Sequence, residues 1–181
     1  MTKVDQFESI FRSAAKESLR YQRPAIATAV LVTDLDAYAT DRLLGRVRTF
    51  LGCLEDVTWA AVDGTQFRTV PEMLEQIEPH RADLVVTYRH LHTEGWRHRL
   101  TLGDHAEVLT QAIGTPILLI PHPERDGELA ENVLRDTKVV LAITDHLATE
   151  HRLVNWAARM TQPRGTLWLT HVEDELSLIH I

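Results

Sequence analysis

Apolar positions along this chain alternate between two spacings, continuous β-branched runs and stripes at helical intervals. Residues 25–33 (AIATAVLVT) form the first run, the pattern of a parallel strand covered on both faces, and Asp34 closes it at the carboxyl end. In 41–54, Leu43, Val47, Phe50, Leu51 and Leu54 fall on one face of a helix that Thr40 or Asp41 can cap. Residues 57–62 (VTWAAV) predict a second strand, from which Asp63-Gly64 turns the chain away. Thr69 and Glu72 stand at capping-box spacing, Pro71 lies in the first turn, and Val70, Met73, Leu74 and Ile77 share a stripe, so a helix is predicted over 70–78. A third strand follows at 83–88 (DLVVTY). Beyond a histidine-rich loop over 89–102, Gly103-Asp104 opens a helix running to Ile113, with Asp104 and Glu107 as a second cap pair and Gly114 and Pro116 as stop signals. Residues 117–121 (ILLIP) predict the fourth strand.

Strands that alternate with helices predict a doubly wound, Rossmann-like α/β fold, a parallel sheet with helices on both faces, because parallel neighbours need crossover helices. Ligands of such sheets bind at the carboxyl ends of the strands. This first domain spans 26–122. The lead-in, 1–25, contains an amphipathic helix over 4–16 (Val4, Phe7, Ile10, Phe11, Ala14), and 123–137 is a polar connector, with a short helix placed within 122–138.

After the connector, 139–145 (VVLAITD) repeats the character of 29–34 (AVLVTD), and each is followed by a helix and a strand bearing a tryptophan, Trp59 or Trp168. This reads as a degenerate tandem repeat, against the alternative that any two βαβ units look alike. The second unit, 138–175, stops after one strand, one helix (Leu153, Trp156, Ala157, Met160) and a strand at 166–172, too little to bury both faces of a sheet. Residues 176–181 (LSLIHI) are what one reading frame of a common sequencing-library adapter encodes, so they read as a non-native tail and the natural chain is expected to continue past Glu175. An uncovered sheet of this kind should self-associate, and a chain ending near Asp136 should be more soluble.

Composition then narrows the function classes. The 181 residues fit about one domain and part of another. Nineteen Lys and Arg against 26 Asp and Glu leave a net charge of -7, which opposes nucleic acid and anionic lipid as partners. The hydrophobic fraction of 44% and charged fraction of 25% exclude disorder of the whole chain. No apolar run reaches the roughly 18 residues of a membrane helix, and the N-terminus lacks the basic head of an export signal. The single Cys53 excludes an intrachain disulfide or a four-thiolate zinc site, and reads as a buried structural thiol on the helix over 41–54. A soluble, cytoplasmic protein without membrane or nucleic-acid partners is expected.

Two segments carry a resemblance. ADLVVTYRHLHTEGWRHRLTLGDHAEVLTQAIGTPILLIPHP resembles the C-terminal signature of the universal stress protein family, an Asp-Leu-Ile-Val strand, a loop, Leu-Gly-Ser, a helix with Ala-Glu, then a Pro-Val-Leu-Val-Val strand. KVVLAITDHLATEHRLVNWAARMTQPRGTLWLTHVEDE resembles that family's opening strand, helix and second strand, with Asp145 at its acidic position. The resemblance covers somewhat under half of the chain. It implies a fold like that of the adenine nucleotide alpha hydrolases, a tandem-domain arrangement with one βα element of the first domain lost or displaced, and a non-enzymatic regulatory or stress-response role. It also implies a homo-oligomer or an intrachain pseudo-dimer with a second domain.

ATP-binding members of the family carry Gly-x2-Gly-x9-Gly followed by Ser or Thr. Here His90 and Thr93 stand at the first two glycines, only Gly103 remains, and Asp104 takes the place of the hydroxyl. The glycines let backbone N–H groups approach phosphate, and a carboxylate there opposes it and would instead cap the helix. No cofactor is therefore expected in the first domain, and ATP only where a complete second domain carries the glycine motif. The resemblance places Asp34, Gly103, Asp104 and Asp145 at the nucleotide site, although a carboxylate at a strand end more often caps the next turn or helix. Among the ten histidines, His90, His92, His98 and His105 lie close in sequence, and His122 and His146 stand at other strand ends. No spacing among them matches a metal motif, and loop histidines are usually solvated or capping, so no metal is expected. No Gly-x-Ser-x-Gly elbow is present and no catalytic residue is expected. The competing class is a small-molecule-binding or hydrolytic α/β domain using Asp34, His90, His92 and Asp145.

Overall fold

The computed structural model describes residues 20–93, 101–123, 134–144 and 151–171. The helix expected over 4–16, the short helix of the connector, Asp145, His98, His146 and the tail at 176–181 lie outside the described residues. The chain divides into two compact units, Ala25–Thr137 and a second made of residues before and after it.

The first unit is built of β1 (Thr28–Val32), α1 (Ala37–Phe50), β2 (Thr58–Val62), α2 (Val70–Ile77) with a 3-10 turn (Glu78–His80), β3 (Leu84–Tyr88), α3 (Asp104–Ala112) and β4 (Ile117–Ile120). Its four strands form one parallel sheet in the order β2-β1-β3-β4. The third and fourth expected strands therefore pair in parallel, Val85 beside Ile117. Right-handed crossovers from β1 leftward to β2, and then rightward to β3 and β4, put α1 on one face and α2 and α3 on the other. Every residue of β3 is buried, as are Ala29–Val32 of β1, which is why those runs lack polar alternation. Asp83 fastens the start of β1, its Oδ2 accepting from the N–H groups of Ala27 (2.8 Å) and Thr28 (3.0 Å).

Three local expectations are corrected. α1 begins at Ala37, ahead of 41, because Asp36 is the cap: its side chain accepts from Ala39 N–H at 2.8 Å. Thr40 is buried inside the first turn instead, its hydroxyl 2.6 Å from that of Thr33. The helix stops at Phe50, so Leu51 and Leu54 continue the buried stripe from the following turn, and Cys53 sits half-buried in that turn with Thr137 Oγ1 3.8 Å from its sulfur. At α3 the cap is Gly103 (φ 81°), with no side-chain capping bond; Asp104 is the first helical residue and exposed, so the Asp104–Glu107 cap pair does not form. Both acids still lie in the first turn, where the helix dipole favours them.

The capping box on α2 forms as expected: Thr69 Oγ1 accepts from Glu72 N–H (3.4 Å), and Glu72 Oε2 accepts from Thr69 N–H (3.0 Å) and Arg68 N–H (2.7 Å). These donors hold the exposed Glu72 carboxyl below its ordinary pKa. Thr69→Ala should lower the urea unfolding midpoint by a loss of about 1 kcal/mol. An unchanged midpoint would mean that α2 is held by its buried Met73 and Ile77 alone.

In the second unit β5 (Val139–Thr144) and β6 (Thr166–His171) pair in parallel around α4 (His151–Met160). Gln22 N–H donates to Asn155 Oδ1 at 3.2 Å, fastening the residues before the first unit to α4. The helix buries Asn155, Ala157 and Arg159, whereas Leu153, Trp156 and Met160 of the expected stripe are half-buried, because two strands offer too little surface to cover them. Val139, Leu141 and Ile143 share one face with Trp168, which registers with Leu141, and each is more than half exposed.

Candidate functional site at the carboxyl ends of the strands

In the order β2-β1-β3-β4 the chain winds outward in opposite directions from β1 and β3, so the crevice beyond their carboxyl ends is the topological switch point of the sheet. Asp34, the loop over 89–93, the start of α3 and His122 beyond β4 all lie there.

Asp34 is the hub. Its Oδ1 accepts from the Tyr88 hydroxyl at 2.5 Å and its Oδ2 from His92 N–H at 2.8 Å, while its own N–H donates to Tyr88 Oη at 3.1 Å. His122 Nε2 lies 4.0 Å from Oδ1, and its ring meets Tyr88 edge-on at 4.5 Å. Asp34 thus ties β1 to β3 and its loop, and the capping role expected of it falls to Asp36. Burial, reinforced by the bond to the Asp34 carboxylate, drives the Tyr88 hydroxyl far above its ordinary pKa, so Tyr88 is a permanent neutral donor.

The loop after β3 takes a glycine-like path without glycine. His90 (φ 63°) and His92 (φ 56°) are both left-handed, the region where histidine is enriched among non-glycine residues but still uncommon. His90 N–H donates to Leu102 O (2.8 Å) and Thr93 N–H to His90 O (3.3 Å). With His92 N–H on Asp34, three N–H groups of this loop are directed to protein oxygens. Gly103 is required by its positive φ and by packing, since a Cβ there would lie 2.9 Å from His90 Cα. Asp104 is exposed and makes none of these contacts.

A second layer lies between this loop and α3. Buried Phe67 meets the rings of His92 (4.8 Å) and His105 (5.8 Å), and the two imidazoles are 5.7 Å apart. Arg68 Nη1 donates to His92 Nδ1 at 3.1 Å, and His105 Nε2 donates to Arg68 O at 3.2 Å. Arginine only donates and a carbonyl only accepts, so His92 carries its proton on Nε2 and neutral His105 keeps a bare lone pair on Nδ1. Both of those atoms are buried without a partner, as is Thr93 Oγ1. Desolvation holds His92 below its ordinary pKa; the Asp34 charge opposes that shift, and Arg68 and His105 add to it.

The histidines of the described loops were expected to be solvated or capping. His90 and His122 are instead buried, as is His105 on α3, and His92 is half-buried against Phe67. Among the described residues no three His, Cys, Asp or Glu side chains are grouped as metal ligands. The crevice brings together Asp34, His90, His92, His105, His122 and Gly103, and leaves Asp104 outside. Sequence reasoning missed Tyr88, Phe67 and Arg68. The signal available was a hydroxyl on Tyr88, the last residue of a strand that is apolar but for Thr87.

A separate groove of about 400 Å³ opens at the opposite, amino end of β2, where Arg48 and Glu55 flank Trp59. Among the described residues no helix is long and apolar enough to cross a membrane. No family model, no curated protein and no solved structure matches this chain.

Proposed function

We propose that this chain is a universal-stress-like, non-enzymatic regulatory protein of the cytoplasm whose first unit has the adenine nucleotide alpha hydrolase-like fold with a degenerate crevice that does not take ATP. The observation that carries this reading is the occupancy of the crevice by its own groups. Asp34 accepts from Tyr88 and His92, and the N–H groups of His90 and Thr93 are bonded to Leu102 O and His90 O. A phosphate entering there would have to break these bonds and meet a carboxylate; at 4 Å two unit charges repel by roughly 1 kcal/mol in water and 4 at an effective dielectric of 20. In this reading an ATP site belongs to a complete second unit with the glycine motif, and Asp145 would serve it. The repeat-like second unit acts in association, with another copy of the chain or with a fuller second domain.

Calorimetric titration of the full chain with Mg-ATP at pH 7.5 should give no saturable heat. A dissociation constant below about 10 μM, roughly -6.8 kcal/mol, would defeat the reading.

A second reading, a small-molecule-binding or hydrolytic domain, is favoured by one contact: the Asp34 carboxylate and His122 imidazole, 4.0 Å apart, are the couple such chemistry would use. Mass spectrometry of small molecules released from the purified, denatured protein separates the two, since only this reading expects a stoichiometric ligand.

A further inference from the structure

The contacts of His92 contain a dependence on acid that the closed crevice does not by itself require. Its Nδ1 accepts from Arg68, which is compatible only with an imidazole unprotonated at that atom. Its backbone N–H closes the loop onto Asp34 Oδ2. Among the described residues, the titratable and charged groups around it are Asp34 from the end of β1, Arg68 from the approach to α2 with Glu72 holding the Arg68 backbone, and His105 from α3. Tyr88 and His122 stand behind Asp34.

We infer that His92 is an acid-released latch, which holds the loop over 90–93 across Asp34 while its imidazole is neutral and lets it go when the ring protonates. A proton on His92 Nδ1 replaces an acceptor with a donor facing the Arg68 N–H, and sets a second cation beside the guanidinium. The Asp34 charge and the Phe67 backbone oppose this in the closed loop without overcoming the burial of the ring. Opening frees the Asp34 Oδ2 acceptor together with the amide of His92.

The sign follows from linkage. The closed loop depresses the affinity of His92 for a proton, so the open form binds it at higher pH. Closure is complete above the ordinary histidine value of about 6.5 and weakens about tenfold per pH unit below it, until the depressed value of the closed form is passed. The inference rests on the reading of the crevice as closed at neutral pH. Its readout uses no nucleotide, so its failure is distinct from ATP binding at pH 7.5.

The test is residue-resolved hydrogen exchange of the full chain between pH 7.5 and 5, corrected for intrinsic rates. The His92 amide should lose about tenfold in protection per pH unit below about 6.5, while the Val30 and Val86 amides in the core of the sheet keep theirs. In the variant His92→Asn the pH dependence of the residue 92 amide should vanish. Asparagine tolerates the left-handed backbone and can accept from Arg68. Constant protection of His92 down to pH 5, loss in step with the core amides, or the same pH dependence in that variant would each overturn the latch.

Discussion

Gly64→Ala should destabilise the first unit by on the order of 3 kcal/mol, a shift readily measured in urea unfolding. The residue looks like an ordinary turn glycine after β2, and its N–H donates to Leu35 O at 2.7 Å. Its α-carbon, however, faces the backbone of Asp34. A methyl there would fall inside the contact distance of the Asp34 carbonyl and 2.8 Å from its Cα. Backbone cannot swing aside as a long side chain can, so either the turn or the end of β1 must shift. Because Asp34 organises the crevice, the damage should extend to function: protection of the His92 amide should fall even where the variant remains folded. An alanine variant within about 0.5 kcal/mol of the parent would show that the turn relaxes without disturbing Asp34.

The parent chain should self-associate, and Leu141→Lys combined with Trp168→Lys should leave it a monomer, halving or more the mass seen by light scattering at equal concentration. Parallel sheets are covered on both faces, yet β5 and β6 are covered by α4 on one side only. Val139 is 68% exposed, Leu141 55%, Ile143 54% and Trp168 60%, and both strand edges are open among the described residues. So contiguous an apolar patch, with unpaired N–H and C=O groups beside it, favours pairing with a second copy through face and edge together. Equal masses for parent and variant would end this idea. A shortened chain that removes the sheet should end after Thr137 and not at Asp136, since Thr137 is buried and its hydroxyl reaches the Cys53 sulfur.

The strands of the first unit were legible because central parallel strands are apolar on both faces, as Ala29–Val32 and Leu84–Tyr88 are. α2 was legible because Thr69 and Glu72 define a start chemically. α1 was placed late because its apolar stripe begins at Leu43, while Asp36, Thr40 and Asp41 are all competent caps and only packing selects among them. The candidate site was half legible. Asp34 and the loop over 89–102 were singled out as strand ends, and His90, standing where a glycine was expected, does keep a glycine-like φ. The bond from Tyr88 to Asp34 spans 54 positions and depends on β1 lying beside β3, a neighbour relation that local pattern does not encode. The Arg68–His92–His105 arrangement depends in turn on two left-handed histidines, which no propensity rule singles out.

The position of β1 also bears on how the chain acquires its structure as it is made. β1 lies between β2 and β3, with Thr28 paired to Thr58 but Ala29 paired to Leu84. The β1–α1–β2 unit can close early on modest loop entropy, but it leaves one side of its most apolar strand waiting for a partner that is synthesised later. Until Leu84–Tyr88 arrives, Ala29–Val32 presents an unsatisfied edge to other nascent chains. The crevice, with one wall from each side of that junction, is therefore among the last features of the unit to form.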